Sequence, residues 1–222
     1  MRATEIRALA GRAGIAPGVS VLDLCCGIAG PGRFITRELG CTYLGVDASS
    51  SAVEIARQKA DGLPCRFEVA RIPPLPSGPF DVALLLETML AFRDKEALLE
   101  AVSRALRPGG RFAFTLEEGL PLTDLERQAM PDADTVWLTP FAEMLGCLQR
   151  VALRVRFQAD WSRSHRAVAD SLRKAFAADA AAIAGQIGRR AHEDLLAAHR
   201  LWSGWLRDGR ARKLAFVAEK IA

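Results

Sequence analysis

The 222-residue chain is 50% hydrophobic with a net charge of +4, enough apolar material for one sizeable core and too apolar for a disordered chain. No run approaches the ~18 uninterrupted apolar residues of a membrane span, and residues 1–12 mix charges with alanines unlike a secretory signal, so a soluble cytoplasmic protein is expected. The five cysteines (Cys25, Cys26, Cys41, Cys65 and Cys147) are odd in number and lack C-x-x-C spacing, which argues against disulfides and against a metal site.

In chain order, apolar runs at 19–24, 43–46, 66–69, 82–86 and 111–115 read as strands, with helices near 30–39, 50–60 and 94–106 between them. That alternation predicts parallel strands joined by right-handed crossovers. Pro108-Gly109-Gly110 is a turn leading into the fifth strand, since proline cannot continue a helix and glycine tolerates positive φ. Residues 116–145 are polar and mixed, closing in a short helix at about 140–146, and a sixth strand fits 150–157. From His165 to Leu206, Val168, Leu172, Phe176, Ile183, Ile187, Leu195 and Trp202 recur at helical spacing, reading as two helices broken near Gly185 or Gly188. A seventh strand fits 214–219.

The expected fold is therefore α/β: a Rossmann-like, seven-stranded, mostly parallel sheet flanked by helices. It forms a single domain over residues 1–222, with a helical cap at 160–208 inserted between strands six and seven. Charge is uneven, with residues 1–150 at −3 and residues 151–222 at +7. The basic surplus falls mainly on the cap, where arginines form a solvated face; an anionic partner is the alternative.

The strongest local signal is Val21-Leu22-Asp23-Leu24-Cys25-Cys26-Gly27-Ile28-Ala29-Gly30, an apolar strand ending in small residues before a helix. Small side chains let a ligand lie on main chain, and the crevice beyond strand ends at a topological switch point is where open parallel sheets bind ligands. Twenty residues after Gly27, the next strand ends in Asp47, a carboxylate placed to accept from two ribose hydroxyls. A dinucleotide would require G-x-G-x-x-G for its pyrophosphate, whereas the same register gives Cys25, Gly27 and Ala29, which suits a ligand without phosphates. The acid Asp23 suits an amino-acid moiety.

With Gly45-Val46-Asp47, Leu75-Pro76 before Phe80-Asp81-Val82-Ala83, and Leu106-Arg107-Pro108-Gly109-Gly110-Arg111, that loop resembles the class I S-adenosylmethionine-dependent methyltransferases, over roughly residues 15–120 and the final strand. The run from Gly27 to Arg33 is particularly similar to the small-molecule branch. The resemblance implies S-adenosylmethionine as cofactor and S-adenosylhomocysteine as product. It assigns the first loop (Asp23, Cys25, Cys26, Gly27, Ala29) to the methionine moiety, Asp47 and Ala48 to the ribose, and Arg71 and Ile72 to the adenine. Leu86 and the residues after it fall where acceptor and methyl meet. Cys25 and Ala29 replace glycines, Arg71 replaces an aspartate, and the N-terminal helix lacks the aromatic residue that often covers the cofactor.

The expected activity is methyl transfer to a small acceptor, an amine, hydroxyl or activated carbon. Glu87 is the foremost candidate base, although a carboxylate there could equally bind the methionine amino group or cap the next helix. His165, beside Trp161, and His192, on one helical stripe with Leu195, His199, Trp202 and Leu206, are further catalytic candidates; packing at a helix edge is the plainer reading. RNA is a weaker substrate class, because Glu87-Thr88-Met89-Leu90 stands where base-methylating enzymes of this fold carry Asn-Pro-Pro-Tyr. The altered loop also leaves room for a non-catalytic cofactor-binding scaffold, and a glycine loop followed by an acid leaves room for a dehydrogenase. The cap is also a surface through which a homodimer could form.

Overall fold

The computed structural model describes residues 1–221. Seven strands form one sheet: β1 (Ser20–Leu24), β2 (Thr42–Asp47), β3 (Cys65–Val69), β4 (Phe80–Leu85), β5 (Leu106–Glu118), β6 (Leu153–Asp160) and β7 (Arg212–Lys220). Their order is β3-β2-β1-β4-β5-β7-β6; β7 runs antiparallel to both its neighbours, and the pairs from β3 to β5 are parallel. Chain order reverses between β1 and β4, so the switch-point crevice opens beyond the carboxyl end of β1.

Alternation along the strands divides the core between two helical layers. Val21, Tyr43, Val82 and Leu84 pack under α1 (Ala3–Ala13), α2 (Gly30–Leu39) and α3 (Ser50–Lys59). Leu22, Leu24, Ala83 and Leu85 pack under α4 (Lys95–Ala105) and α6 (Phe141–Arg150). Helix starts follow from the sequence: Ser49 accepts from the Ala52 N–H and Asp94 from the Ala97 N–H, each satisfying an orphan donor. At Gly32 a Cβ would come within 2.2 Å of the Tyr43 phenol, so only glycine lets α2 lie this close to β2.

Three differences from the sequence reading have physical causes. First, β5 runs on through Leu116 and Glu117 to Glu118, because β7 pairs with it along its whole far end, from Glu118 opposite Arg212. Second, a short helix α5 (Asp124–Ala129) stands in the polar 116–145 segment, started by a capping box in which Thr123 and Glu126 satisfy each other's backbone N–H. Third, residues between β6 and β7 form three helices: α7 (Ser162–Ala178), α8 (Ala180–Ile187) and α9 (Arg189–Asp208). The helical pattern does break at Gly188, but also at Asp179, while Gly185 lies within α8. No helix among the described residues is long and apolar enough to cross a membrane.

Candidate functional site

Register brings the first group of site residues together. Leu24 pairs with Val46 on one side and Leu85 on the other, and Asp47 pairs with Val69, so β1, β2, β3 and β4 end at one edge. The segments leaving that edge are Cys25–Ala29, Ala48, Arg71–Ile72 and Leu86–Glu87. Both Asp47 oxygens accept backbone hydrogen bonds at 2.8 Å, one from Gly27 N–H and one from Ser49 N–H. A carboxylate offers about four lone-pair sites, so capacity remains for two further donors. A Cβ added at Gly27 would meet no described heavy atom within 4 Å, so the loop presents bare main chain to open space. Ile28 and Val69, both exposed, add apolar surface beside it.

Cys25, Gly27 and Ala29 all sit at φ of 54–56°. The left-handed region costs an L-residue about 1–2 kcal/mol, which glycine escapes, so Cys25 and Ala29 hold this loop against local strain. Cys26 turns into the α2 layer, with its sulfur against Gly45. Burial pushes the Cys25 thiol up to about 12, and Cys26 further still, so neither is a nucleophile at neutral pH.

Against expectation, Asp23 does not reach the ligand side of the loop. It lies on the α2 face, only 3% exposed, with the Tyr43 phenol donating to its Oδ2 at 2.5 Å. Burial raises its carboxyl to about 7; the Tyr43 bond opposes that rise and the Asp47 charge adds to it. Asp23 therefore ties β1 to Tyr43 of β2 inside the core instead of presenting a free carboxylate to a ligand. Ala48 and Arg71 are exposed, whereas Ile72 and Leu86 are half-buried against the two core layers.

Beyond β4 lies a second feature, a cavity of about 330 Å³ bounded by Glu87, Glu117, His165, His199 and Trp202, with Met1 also in its wall. Glu87 has φ 64°, and its N–H donates to Thr115 Oγ1 at 2.7 Å, fixing it in a left-handed conformation unusual for a non-glycine residue. Lys213, 1% exposed, faces Glu117 across the β5–β7 ladder, contacts Glu117 Oε1 directly and lies 3.1 Å from Glu87 Oε1. The latter contact is an ion pair without hydrogen-bond alignment, since Glu87 Oε1 has no hydrogen-bond partner among the described residues. The start of α7 is fastened to the same lysine: Trp161 N–H donates to the Lys213 carbonyl, and Ser162 Oγ accepts from the Lys213 N–H. One turn later, His165 Nδ1 stands 3.7 Å from Glu87 Oε2.

The electrostatics follow from burial and charge. Burial pushes the Glu87 carboxyl up, but Lys213 and His165 outweigh it, and the net shift is down. Burial pulls Lys213 down, but Glu117 and Glu87 more than restore it, so it stays charged. Burial, then Lys213, hold His165 below the ordinary imidazole range against the pull of Glu87 and Glu117, so the ring is neutral at pH 7. A neutral imidazole can accept a proton; an ionised, lysine-paired Glu87 is the weaker base.

His192 is not brought to this cavity. It is buried, and its Nε2 is 2.9 Å from the Phe176 carbonyl, tying the start of α9 to α7, a packing role in place of the expected catalytic one. His199, two turns on, lines the wall instead, its Nδ1 bonded to the Leu195 carbonyl at 2.8 Å and its ring edge-on to Phe176. Glu117 and Lys213 escaped sequence reasoning. The available signal was a lysine directly before the apolar run Leu214–Ala218 and a carboxylate in alternation with Thr115. Among the described residues, no group of three or more His, Cys, Asp or Glu is arranged to hold a metal ion.

Residues 21–110 match the methyltransferase-domain family. Over 109 residues the chain is 33% identical to the methyltransferase GfsG of Streptomyces halstedii, covering 46% of this chain and 39% of that protein. Over 103 residues it is 35% identical to phosphoethanolamine N-methyltransferase 3 of Arabidopsis thaliana, covering 45% and 21%. The aligned part thus spans well under half the length of these curated relatives. In fold it is similar to the cyclopropane synthase MmaA2 of Mycobacterium tuberculosis, with TM-score 0.89, 15% identity and coverage of 98% of this chain and 83% of that one. A phosphoethanolamine N-methyltransferase 2 from Haemonchus contortus superposes with TM-score 0.84 at 18% identity, covering 99% and 53%. Over residues 21–110 the chain is similar in sequence to methyltransferase domains, and over nearly its whole length its fold is similar to that of these solved proteins.

Proposed function

We propose that the chain binds S-adenosylmethionine at the β1–β2 edge and methylates a small molecule held in the cavity beside Glu87. The observation that carries this reading is the pairing of an open main-chain loop with a carboxylate that has spare acceptor capacity at the switch point. The residues fit that nucleoside: Asp47 would take the ribose hydroxyls and Ala48 the adjoining main chain. Cys25–Ala29 would border the methionine portion, Ile72 and the main chain at Arg71 the adenine, and Leu86 the approach to the cavity. When bound, the cofactor supplies an electrophilic methyl group on sulfur, so the protein's task is alignment and exclusion of water.

Glu87 leaves the same sheet edge as the cofactor loop and also walls the cavity, so the two sites adjoin at this residue. His165, neutral at pH 7, is the group best suited to take a proton from an acceptor that must lose one. Glu87, held by Lys213 and by the Thr115 bond to its N–H, orients His165 and shapes the junction. Residues 160–208 act as a cap closing the cavity from solvent. The phosphoethanolamine relatives favour an amine acceptor over hydroxyl or carbon within this reading. The five free thiols accord with a cytoplasmic setting.

Calorimetry with S-adenosylmethionine, S-adenosylhomocysteine and a nicotinamide dinucleotide tests this function. Dissociation constants on the order of micromolar for the first two and no heat with the third are the expected result. Binding of the dinucleotide alone would overturn it.

A further inference from the structure

The cavity wall contains a polar group that the folded chain leaves unused. Glu117 is 6% exposed, and its Oε1 is engaged by Lys213, yet its Oε2 is buried with no hydrogen-bond partner among the described residues. A buried carboxylate oxygen without a donor costs free energy that an apolar side chain at the same place would avoid. The charges around it are Lys213, Lys95, Glu87, His165 and the Met1 amino terminus; Lys213 is already shared between two carboxylates, and the buried Lys95 ammonium donates to the Phe92 and Trp137 carbonyls. Elsewhere the wall is hydrocarbon, from Leu90, Val168, Ala169, Leu172 and Trp202. A largely apolar cavity with one unfilled acceptor has the composition of a small-molecule site in which few polar groups set orientation.

We propose that Glu117 is a specificity-determining residue, whose free carboxylate oxygen accepts a hydrogen bond from an N–H or O–H donor on an otherwise apolar acceptor molecule. This inference rests on the reading of the cavity as the acceptor pocket. Thr115 and Glu117 lie on the same face of β5, so the residue that fixes the Glu87 backbone and the residue that reads the donor are two apart on one strand. The donor would thereby be held at a fixed distance from the Glu87 junction.

The test uses the whole chain saturated with S-adenosylhomocysteine and three probes of matched shape: 2-phenylethylamine, 2-phenylethanol and n-propylbenzene. Titration is followed by calorimetry and by the fluorescence of Trp202 in the cavity wall. The amine, the alcohol or both should bind at least about tenfold tighter than the hydrocarbon, and the relative strength of the two identifies the donor. Glu117→Leu should reduce that preference to within about twofold while leaving affinity for n-propylbenzene and S-adenosylhomocysteine unchanged. Should that variant fail to fold, Glu117→Leu with Lys213→Met removes both members of the pair, and the same loss of preference is expected. Equal affinity for all three probes, or a donor preference that survives in the variants, overturns the inference alone. Absence of binding by all three, with S-adenosylhomocysteine still bound, overturns the acceptor-pocket reading as well.

Discussion

The two halves of the site are built from different materials. At the β1–β2 edge the chain offers main chain, small side chains and one carboxylate, all contributed by residues close in sequence to strand ends. Across Glu87, the cavity wall is largely hydrocarbon from α7 and α9, with Glu87 and Glu117 at its edge held by Lys213 of β7 behind them. A surface made of backbone is insensitive to most substitutions, whereas a cluster of buried charges changes its preference with any one member. On the proposed reading, the first half is suited to one invariant ligand, and the second is where acceptor choice would reside.

The sharpest way to break that contrast is Asp47→Ala. Losing charge-assisted bonds to two ribose hydroxyls should weaken S-adenosylhomocysteine binding by about 10- to 100-fold in calorimetry, with probe binding in the cavity retained. Unchanged affinity would remove the carboxylate from the first half of the site. Glu87→Gln, on the border, should lower turnover at least about tenfold and move S-adenosylhomocysteine affinity less than about twofold; the reverse pattern would make Glu87 a cofactor ligand. With the wild type, kcat/KM should fall as pH drops through the depressed His165 pKa, since protonation removes the free ring nitrogen. A kcat/KM that stays flat across the whole acid range in which the protein remains folded would exclude His165 as base.

Asp23→Asn sharpens the comparison through stability. Because the folded-state pKa of Asp23 is raised to about 7, its stabilising contribution is complete below the unfolded carboxylate value and is lost as pH climbs toward 7. The asparagine form, which still accepts from Tyr43, should therefore gain stability over the wild type from pH 4 to 7 and hold a constant advantage of about 1–4 kcal/mol above it. Denaturant titration across that range measures it; a flat difference would place Asp23 ionised and solvated. The smallest effect is expected for Cys25→Gly, where relief of a left-handed strain and the greater entropy of an unfolded glycine roughly offset, within about 1 kcal/mol.

The same contrast explains how much was legible before the fold was known. The proposed cofactor half is local: strand, small-residue loop, helix, then an acid on the next strand, so Gly27 and Asp47 can be named from spacing, and Ala48 from the family resemblance. Asp23 was misassigned because alternation within a five-residue strand does not reveal that Tyr43 lies beneath it. The acceptor half is non-local. Glu117 and Lys213 are 96 positions apart and meet only through antiparallel register, and the sequence reading ended the fifth strand two residues before Glu117. His192 and His199 share a helical stripe, but which of them reaches the cavity depends on where α9 crosses α7, which periodicity does not encode.

A crystal structure of the chain with S-adenosylhomocysteine tests the central claim most directly. The account predicts both ribose hydroxyls within hydrogen-bond distance of the Asp47 carboxylate and the sulfur facing the cavity beside Glu87. Ligand bound with its ribose away from Asp47, or with its sulfur sealed from that cavity, would contradict it.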